Sequence, residues 1–275
     1  MLAKRIATAL VGIPVAVYII NYGQWLFGIT VSFLALAAWH EYCVMVGRNG
    51  HHPSYLLGFL GITLFLGCAW VGNPQETVTV ATLVTLIILG KTVIACGKFS
   101  LPDAAFTLLG LFYIGLPFSH LLLLRFMDAS LFAVPSAGLM STGALFLWLA
   151  FIGTWASDTF AYLVGSKYGK TKLCPSISPG KTREGALGGL CGSILSVLVF
   201  GYFFHIPLIH LVFIGLFVGL AAPFGDLVES SLKRHCCVKD SGRLLPGHGG
   251  VLDRFDSIMF TVPTVYYYVQ FFLIR

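Results

Sequence analysis

Charge is scarce in this chain: only 10% of its 275 residues are Asp, Glu, Lys or Arg, against roughly one quarter in a soluble domain. Hydrophobic residues make up 57% and the mean hydropathy is +0.87, which excludes an ordinary water-soluble fold. The apolar stretches also lack the period-two alternation of membrane strands, as the runs 83–89 and 208–220 show, so a membrane β-barrel is excluded and a helical bundle expected. Cysteine gives no framework. Seven thiols, odd in number and scattered through apolar segments, fit neither a disulfide scaffold nor a Cys-x-x-Cys zinc site and read as small buried side chains. A small-residue cleavage site is missing after the first apolar run, which is therefore expected to stay as a first helix. No long linker, low-complexity tract or repeat divides the sequence.

What is present is a series of runs near the roughly 20 residues a spanning helix needs, at 5–21, 25–46, 55–72, 77–96, 104–124, 143–164, 186–204, 208–222 and 251–273. The fold expected is all-α, a polytopic integral membrane bundle of about nine transmembrane helices, with residues 1–142 as scaffold and 143–275 carrying the site. With the N-terminus inside, Lys4, Arg5, Arg48, Lys98, Lys167, Lys170, Lys172, Lys181, Arg183, Lys233, Arg234, Lys239 and Arg243 all fall in cytoplasmic connections, leaving Arg125 and Arg275 outside. A net charge of +6 placed this way points to anionic lipid headgroups, not nucleic acid. The compact length leans towards a bacterial inner membrane.

Charge is also unevenly spread, since 17 of the charged residues lie between Asp158 and Asp256. In the stretch 231–256, SLKRHCCVKDSGRLLPGHGGVLDRFD, acids alternate with bases between apolar segments, and positive-inside bias does not explain the acids. A helix running on from Asp226 places Glu229, Ser230 and Lys233 on its face, and Asp253 and Asp256 open the last run three residues apart. Carboxylates gathered without His/Cys spacing suit Mg²⁺, bound through one or two carboxylates plus phosphates. Structural ion pairs such as Asp253–Arg254 are the alternative reading. Gly249 and Gly250 let backbone approach a ligand closely, with His248 beside them; as isolated signals they are turn punctuation.

A second cluster begins with Asp158 inside an apolar run, where an ionisable residue is a functional candidate. After it come Lys167, Ser178 and Lys181 in a loop of hydroxyls, lysines and glycines suited to phosphates. Gly-Lys-Thr occurs at 169–171 and 180–182, but Val164 and Pro175 stand where a P-loop requires glycine, so a Walker site is rejected. Gly185, Gly188, Gly189 and Gly192 carry G-x-x-x-G spacings that mean close helix packing.

The pattern Ser231, Lys233-Arg234, Lys239-Asp240, Pro246, His248-Gly249-Gly250, Asp253-Arg254 and Asp256 resembles the signature of phosphatidate cytidylyltransferases. The stretch 157–185 resembles that family's second motif, except that Arg183 stands where the family usually has tryptophan. The resemblance implies a cytoplasm-facing site where CTP and phosphatidic acid give CDP-diacylglycerol and pyrophosphate. It implies Mg²⁺ on Asp226 and Asp253, with a second cation left open. Charge and spacing then assign Lys233, Arg234, Lys239 and Arg254 to phosphate neutralisation and Ser178 with Lys181 to closing on a phosphate. Asp240 and Asp256 orient these cations, and His248 is a phosphate contact. Two other readings stay open: another CTP-dependent enzyme of lipid phosphates or polyprenols, and a transporter. The glycine-rich faces of the seventh and eighth runs leave room for a homodimer.

Overall fold

The computed structural model describes residues 2–72, 74–127, 140–242 and 249–274, so His248 and Arg243 lie outside the described residues. Apolar runs become helices in chain order: α1 Leu2–Tyr22, α2 Gln24–Gly47, α3 Tyr55–Val71, α4 Pro74–Ile94, α5 Leu101–Gly110, a π-helical turn Leu111–Gly115, α6 Leu116–Arg125 and α7 Thr142–Tyr168. A short hairpin follows, β1 Lys172–Cys174 and β2 Ser178–Thr182, and then α8 Arg183–Tyr202, α9 Leu208–His235, α10 Leu252–Phe255 and α11 Ile258–Phe272. Among the described residues six helices are long and apolar enough to cross a bilayer: Gln24–Gly47, Gln75–Ile94, Leu101–Arg125, Thr142–Tyr168, Arg183–Tyr202 and Leu208–His235. Two shorter apolar helices, Gly12–Tyr22 and Tyr55–Val71, accompany them. The chain is a helical integral membrane protein.

Two expected spans differ in detail. The run at 208–222 belongs to a 28-residue helix that continues through Pro223 to His235, about 42 Å at 1.5 Å per residue. That exceeds the roughly 30 Å of hydrocarbon, so one end of α9 extends beyond the apolar layer. The run at 251–273 is broken at residues 256–257, where Asp256 Oδ1 accepts the Ser257 N–H at 2.7 Å in place of a helical partner. Asp253 and Asp256 therefore do not share one continuous helix.

The chain divides into two compact units, Met1–Phe126 with Lys233–Arg254, and Met127–Leu232 with Phe255–Arg275. In the first, Trp39, Tyr42, Phe65, Leu111 and Phe118 are fully buried. Trp39 Nε1 donates to Tyr55 O at 3.0 Å and Tyr42 Oη to Phe106 O at 2.8 Å, so the polar tips of these rings are satisfied inside the apolar packing. Ser100 and Asp103 form a capping box on α5, and Asp103 Oδ1 also accepts the His52 N–H at 2.6 Å. The π turn lies just ahead of Pro117, which has no N–H for the helical ladder. Arg125, only 7% exposed, donates Nε to Ile20 O at 2.6 Å and a second nitrogen to Asn21 O at 3.0 Å, closing carbonyls at the end of α1.

In the second unit α8 packs on α7 through the glycines singled out above. A Cβ at Gly189 would stand 2.8 Å from Ser157 O, one at Gly185 2.8 Å from Ala161 O, and one at Gly188 2.6 Å from Val164 Cβ. Gly215 and Gly219 of α9 press in turn on Ile194 and Leu190 of α8. These faces are filled inside the unit. The hydroxyls of Thr154 on α7 and Thr261 on α11 are hydrogen-bonded at 2.9 Å, a buried polar tie between apolar helices.

Candidate functional site

The hairpin after α7 is what turns a membrane helix into a site. β1 and β2 pair antiparallel with Lys172 opposite Thr182 and Cys174 opposite Ser178, and a register shift lies between the pairs. Thr182 then caps α8, its Oγ1 accepting the Gly185 N–H at 3.1 Å. Glu184 in the first turn accepts the N–H groups of Lys170 and Thr171 at 3.1 Å, tying the end of α7 to the start of α8. Between α7, the hairpin, the start of α8 and Pro223–Asp226 of α9 lies a cavity of about 490 Å³.

Asp158, Ser178, Lys181 and Asp226 all line this cavity. Lys181 Nζ pairs with Asp226 Oδ2 at 2.8 Å and reaches Pro223 O at 3.4 Å. Ser230, one turn further along α9, donates to Asp226 Oδ1 at 3.2 Å, as the i, i+4 spacing requires. The pair is partly open, with 23% of the Lys181 side chain and 36% of Asp226 exposed, so an anionic ligand can reach the ammonium. Two carboxylates, an ammonium and hydroxyls around one cavity form a hard-oxygen donor set with one partly exposed cation, which is chemistry for a polyphosphate and a hard metal ion. Asp256 belongs to the same unit: its carbonyl and the Ser257 Cα abut Gly225 so closely that no Cβ fits there. Lys167 lies beyond the cavity lining on the last turn of α7, its Nζ 5.2 Å from the Tyr168 ring centroid.

The first unit carries a second centre around Asp253. Its Oδ1 pairs with Lys233 Nζ at 2.7 Å; its Oδ2 accepts from Ser241 N at 3.0 Å, Ser241 Oγ at 2.9 Å and Gly250 N at 2.8 Å. Both partners are well covered, with side-chain exposures of 15% and 10%. Gly249 has φ +85°, and a Cβ there would stand 2.7 Å from Asp253 Oδ2, so the glycine pair brings backbone up to this carboxylate. Lys239 and Asp240 line a separate cavity of about 760 Å³ together with His40 and Glu41 of α2 and Arg48 just after it. Arg234 and Arg254 are exposed.

Comparison with known proteins bears on what these centres serve. The model of the Cytidylyltransferase family matches residues 3–272. This chain belongs to the cytidylyltransferase family. Its relatives include a Staphylococcus aureus protein 36% identical over 263 residues, covering 94% of this chain and 95% of that one, named phosphatidate cytidylyltransferase. A Bacillus subtilis protein of the same name is 32% identical over 275 residues, with 98% of both chains covered. One from Staphylococcus saprophyticus is 41% identical over 214 residues, 76% of each chain, and again bears that name.

Within this cytidylyltransferase the two sequence clusters acquire distinct surroundings. Asp158, Ser178, Lys181 and Asp226 come together around one cavity, although 68 residues separate the first from the last. Lys233, Gly249, Gly250 and Asp253 come together around one carboxylate in the other unit. Glu41 escaped the sequence reading: it is 6% exposed on α2, accepts the Leu252 N–H and lies 3.4 Å from Ser241 Oγ, partners 211 and 200 residues away. The signal that singled out Asp158, an acid inside an apolar span, was equally present at Glu41.

Proposed function

We propose that this cytidylyltransferase transfers the cytidylyl group of CTP to phosphatidic acid, giving CDP-diacylglycerol and pyrophosphate. The observation that carries this reading is the Lys181–Asp226 pair beside Asp158 in one cavity of a membrane-embedded unit, in a chain matched by its family over nearly its full length. A phosphatidate oxygen attacks the α-phosphorus of CTP. The new P–O bond forms as the bond from that phosphorus to the bridging oxygen of the β-phosphate breaks, and pyrophosphate leaves with the electron pair. Phosphatidate is already ionised near neutral pH, so no strong general base is needed. Because both reactants are anions, the protein's work is positioning and charge neutralisation. Lys181 exchanges its carboxylate partner for a phosphate oxygen, and Ser178 donates its hydroxyl alongside. In the other unit Lys233 is held ready by Asp253, with Lys239, Arg234 and Arg254 as further cations for phosphate and Asp240 orienting them.

The surroundings of Asp226 fit Mg²⁺: hard oxygens, one hydrogen-bond donor on Oδ1, and Asp158 on the same cavity wall. Among the described residues no group of three or more His, Cys, Asp or Glu could hold a metal, so water and the triphosphate would supply the remaining ligands. Asp253 fits as a ligand once an incoming polyphosphate draws Lys233 away from Oδ1. Bound Mg²⁺ would neutralise charge on the triphosphate and the pyrophosphate leaving group. We place this chemistry on the cytoplasmic face of a bacterial inner membrane, in a nine-span topology, on the distribution of Lys and Arg.

The position of the label tests the reading. With CTP labelled at the α-phosphorus, radioactivity should pass into the lipid phase when phosphatidate is supplied, and with CTP labelled at the γ-phosphorus it should not. Transfer of the γ-label would assign the chain to lipid kinase chemistry instead.

A further inference from the structure

We infer that Glu41 is a positioning residue for the transfer reaction, clasping the two described ends of the 241–252 stretch so that Asp253 and Lys233 are held as a pair; this rests on the function proposed above. Glu41 of α2 is 6% exposed and lies at the wall of the cavity it shares with Arg48, Lys239 and Asp240. A carboxyl group in such a setting costs several kcal/mol unless donors compensate it. Its Oε2 accepts the Leu252 N–H at 3.1 Å and lies 3.4 Å from Ser241 Oγ. Oε1 is buried and has no partner among the described residues.

Two glycines make the clasp possible. Gly242 and Gly250 lie directly against the two carboxyl oxygens, Gly242 on Oε1 and Gly250 on Oε2, leaving no room for a Cβ at either position. The same segments feed Asp253, which takes the Ser241 N–H and hydroxyl and the Gly250 N–H. Glu41 from α2 and Asp253 from α10 thus grip the same pair of backbone segments. Ser241 is the shared element: its hydroxyl has one proton, and at 2.9 Å against 3.4 Å it gives that proton to Asp253. Glu41 therefore holds the stretch mainly through the Leu252 N–H, next in sequence to Asp253. A buried carboxyl with one oxygen unpartnered among the described residues is poor design for stability alone. Replacing it by an apolar side chain of similar volume removes a buried charge but leaves the Leu252 N–H without its acceptor, two effects that oppose one another in stability.

That contrast provides the test, on the full chain in detergent or nanodiscs. Glu41→Leu fills the same volume without an acceptor, and Glu41→Gln keeps an oxygen for the Leu252 N–H. Glu41→Leu should retain its thermal midpoint yet lose about 30-fold or more in kcat, with KM for CTP within about threefold, as expected when a reacting group is misplaced. Glu41→Gln should restore kcat to within about fivefold of wild type, since the Leu252 hydrogen bond is remade. Adding Ser241→Ala to Glu41→Leu should cost less than the product of the two single effects, because both act through one stretch. A folded Glu41→Leu protein with wild-type kcat, or strictly multiplicative effects, would overturn the inference. If Glu41→Leu yields no folded protein, Glu41→Asp, too short to reach the Leu252 N–H, takes its place, and undiminished kcat there would overturn it. Hydrogen exchange at the Leu252 amide supplies a readout independent of turnover: it should accelerate in Glu41→Leu, and unchanged protection would also overturn the inference. Wild-type protein that makes no CDP-lipid faults the proposed function alone, because the exchange measurement still scores the clasp.

Discussion

Asp226→Asn is expected to lower kcat by about 1,000-fold or more at saturating Mg²⁺ while leaving the protein folded and inserted. Asparagine keeps the size of the side chain and an oxygen for the Ser230 hydroxyl, so what is removed is one negative charge facing the cavity. The ion pair with Lys181 is partly exposed, and pairs of that kind contribute about 0–1 kcal/mol, which sets the change in thermal midpoint at no more than a few degrees. Turnover and thermal stability measured on the same preparation separate the two effects. Near-normal kcat would remove Asp226 from the metal and phosphate chemistry.

Asp253→Asn should behave differently, losing stability as well as turnover. Four donors converge on this carboxylate: Lys233 Nζ on Oδ1, and Ser241 N, Ser241 Oγ and Gly250 N on Oδ2. An asparagine amide offers one oxygen and one NH₂, so in either orientation an N–H group faces a donor that the carboxylate satisfied. With the two side chains 15% and 10% exposed, Lys233 also loses the carboxylate charge it faces at 2.7 Å. Breaking a buried pair from one side costs about 3–5 kcal/mol, which corresponds to a midpoint lowered by about 5–15 °C. Turnover should fall by about 1,000-fold as well, since Lys233 loses the group that aims it. An Asp253→Asn protein as stable as wild type would show that this network does not hold the unit together, and an active one would remove Asp253 from the mechanism. The contrast between the two variants is itself informative: one carboxylate opens onto a cavity, the other is enclosed by donors.

Both carboxylates were visible in the sequence because each is an acid at the edge of a long apolar run. What sequence could not show was their surroundings. The helical character of the chain was equally legible, since uninterrupted apolar runs admit little else in a bilayer. Helix ends were less so. Hydropathy stops at Ala222, yet α9 continues for 13 more residues because Asp226, Glu229, Ser230 and Lys233 keep helical spacing after the apolar run has ended. The hairpin was missed for the opposite reason: β1 has three residues and β2 five, with Pro179 and Gly180 inside the latter, so no period-two pattern could form. Glu41 was missed because its importance comes from partners 200 and 211 residues away, a separation no local pattern records. The glycines of α8 were read correctly because close helix packing leaves a local trace in sequence, a small residue every three or four positions.

This membrane protein should join a cytidylyl group to phosphatidate. Purified protein given CTP, Mg²⁺ and phosphatidic acid, with the lipid product identified by mass spectrometry and pyrophosphate quantified alongside, tests it most directly. CDP-diacylglycerol and pyrophosphate should form in equal amounts, and chelation of the metal should stop both. Release of CDP in place of pyrophosphate, or no CDP-lipid from protein shown to be folded, would contradict it.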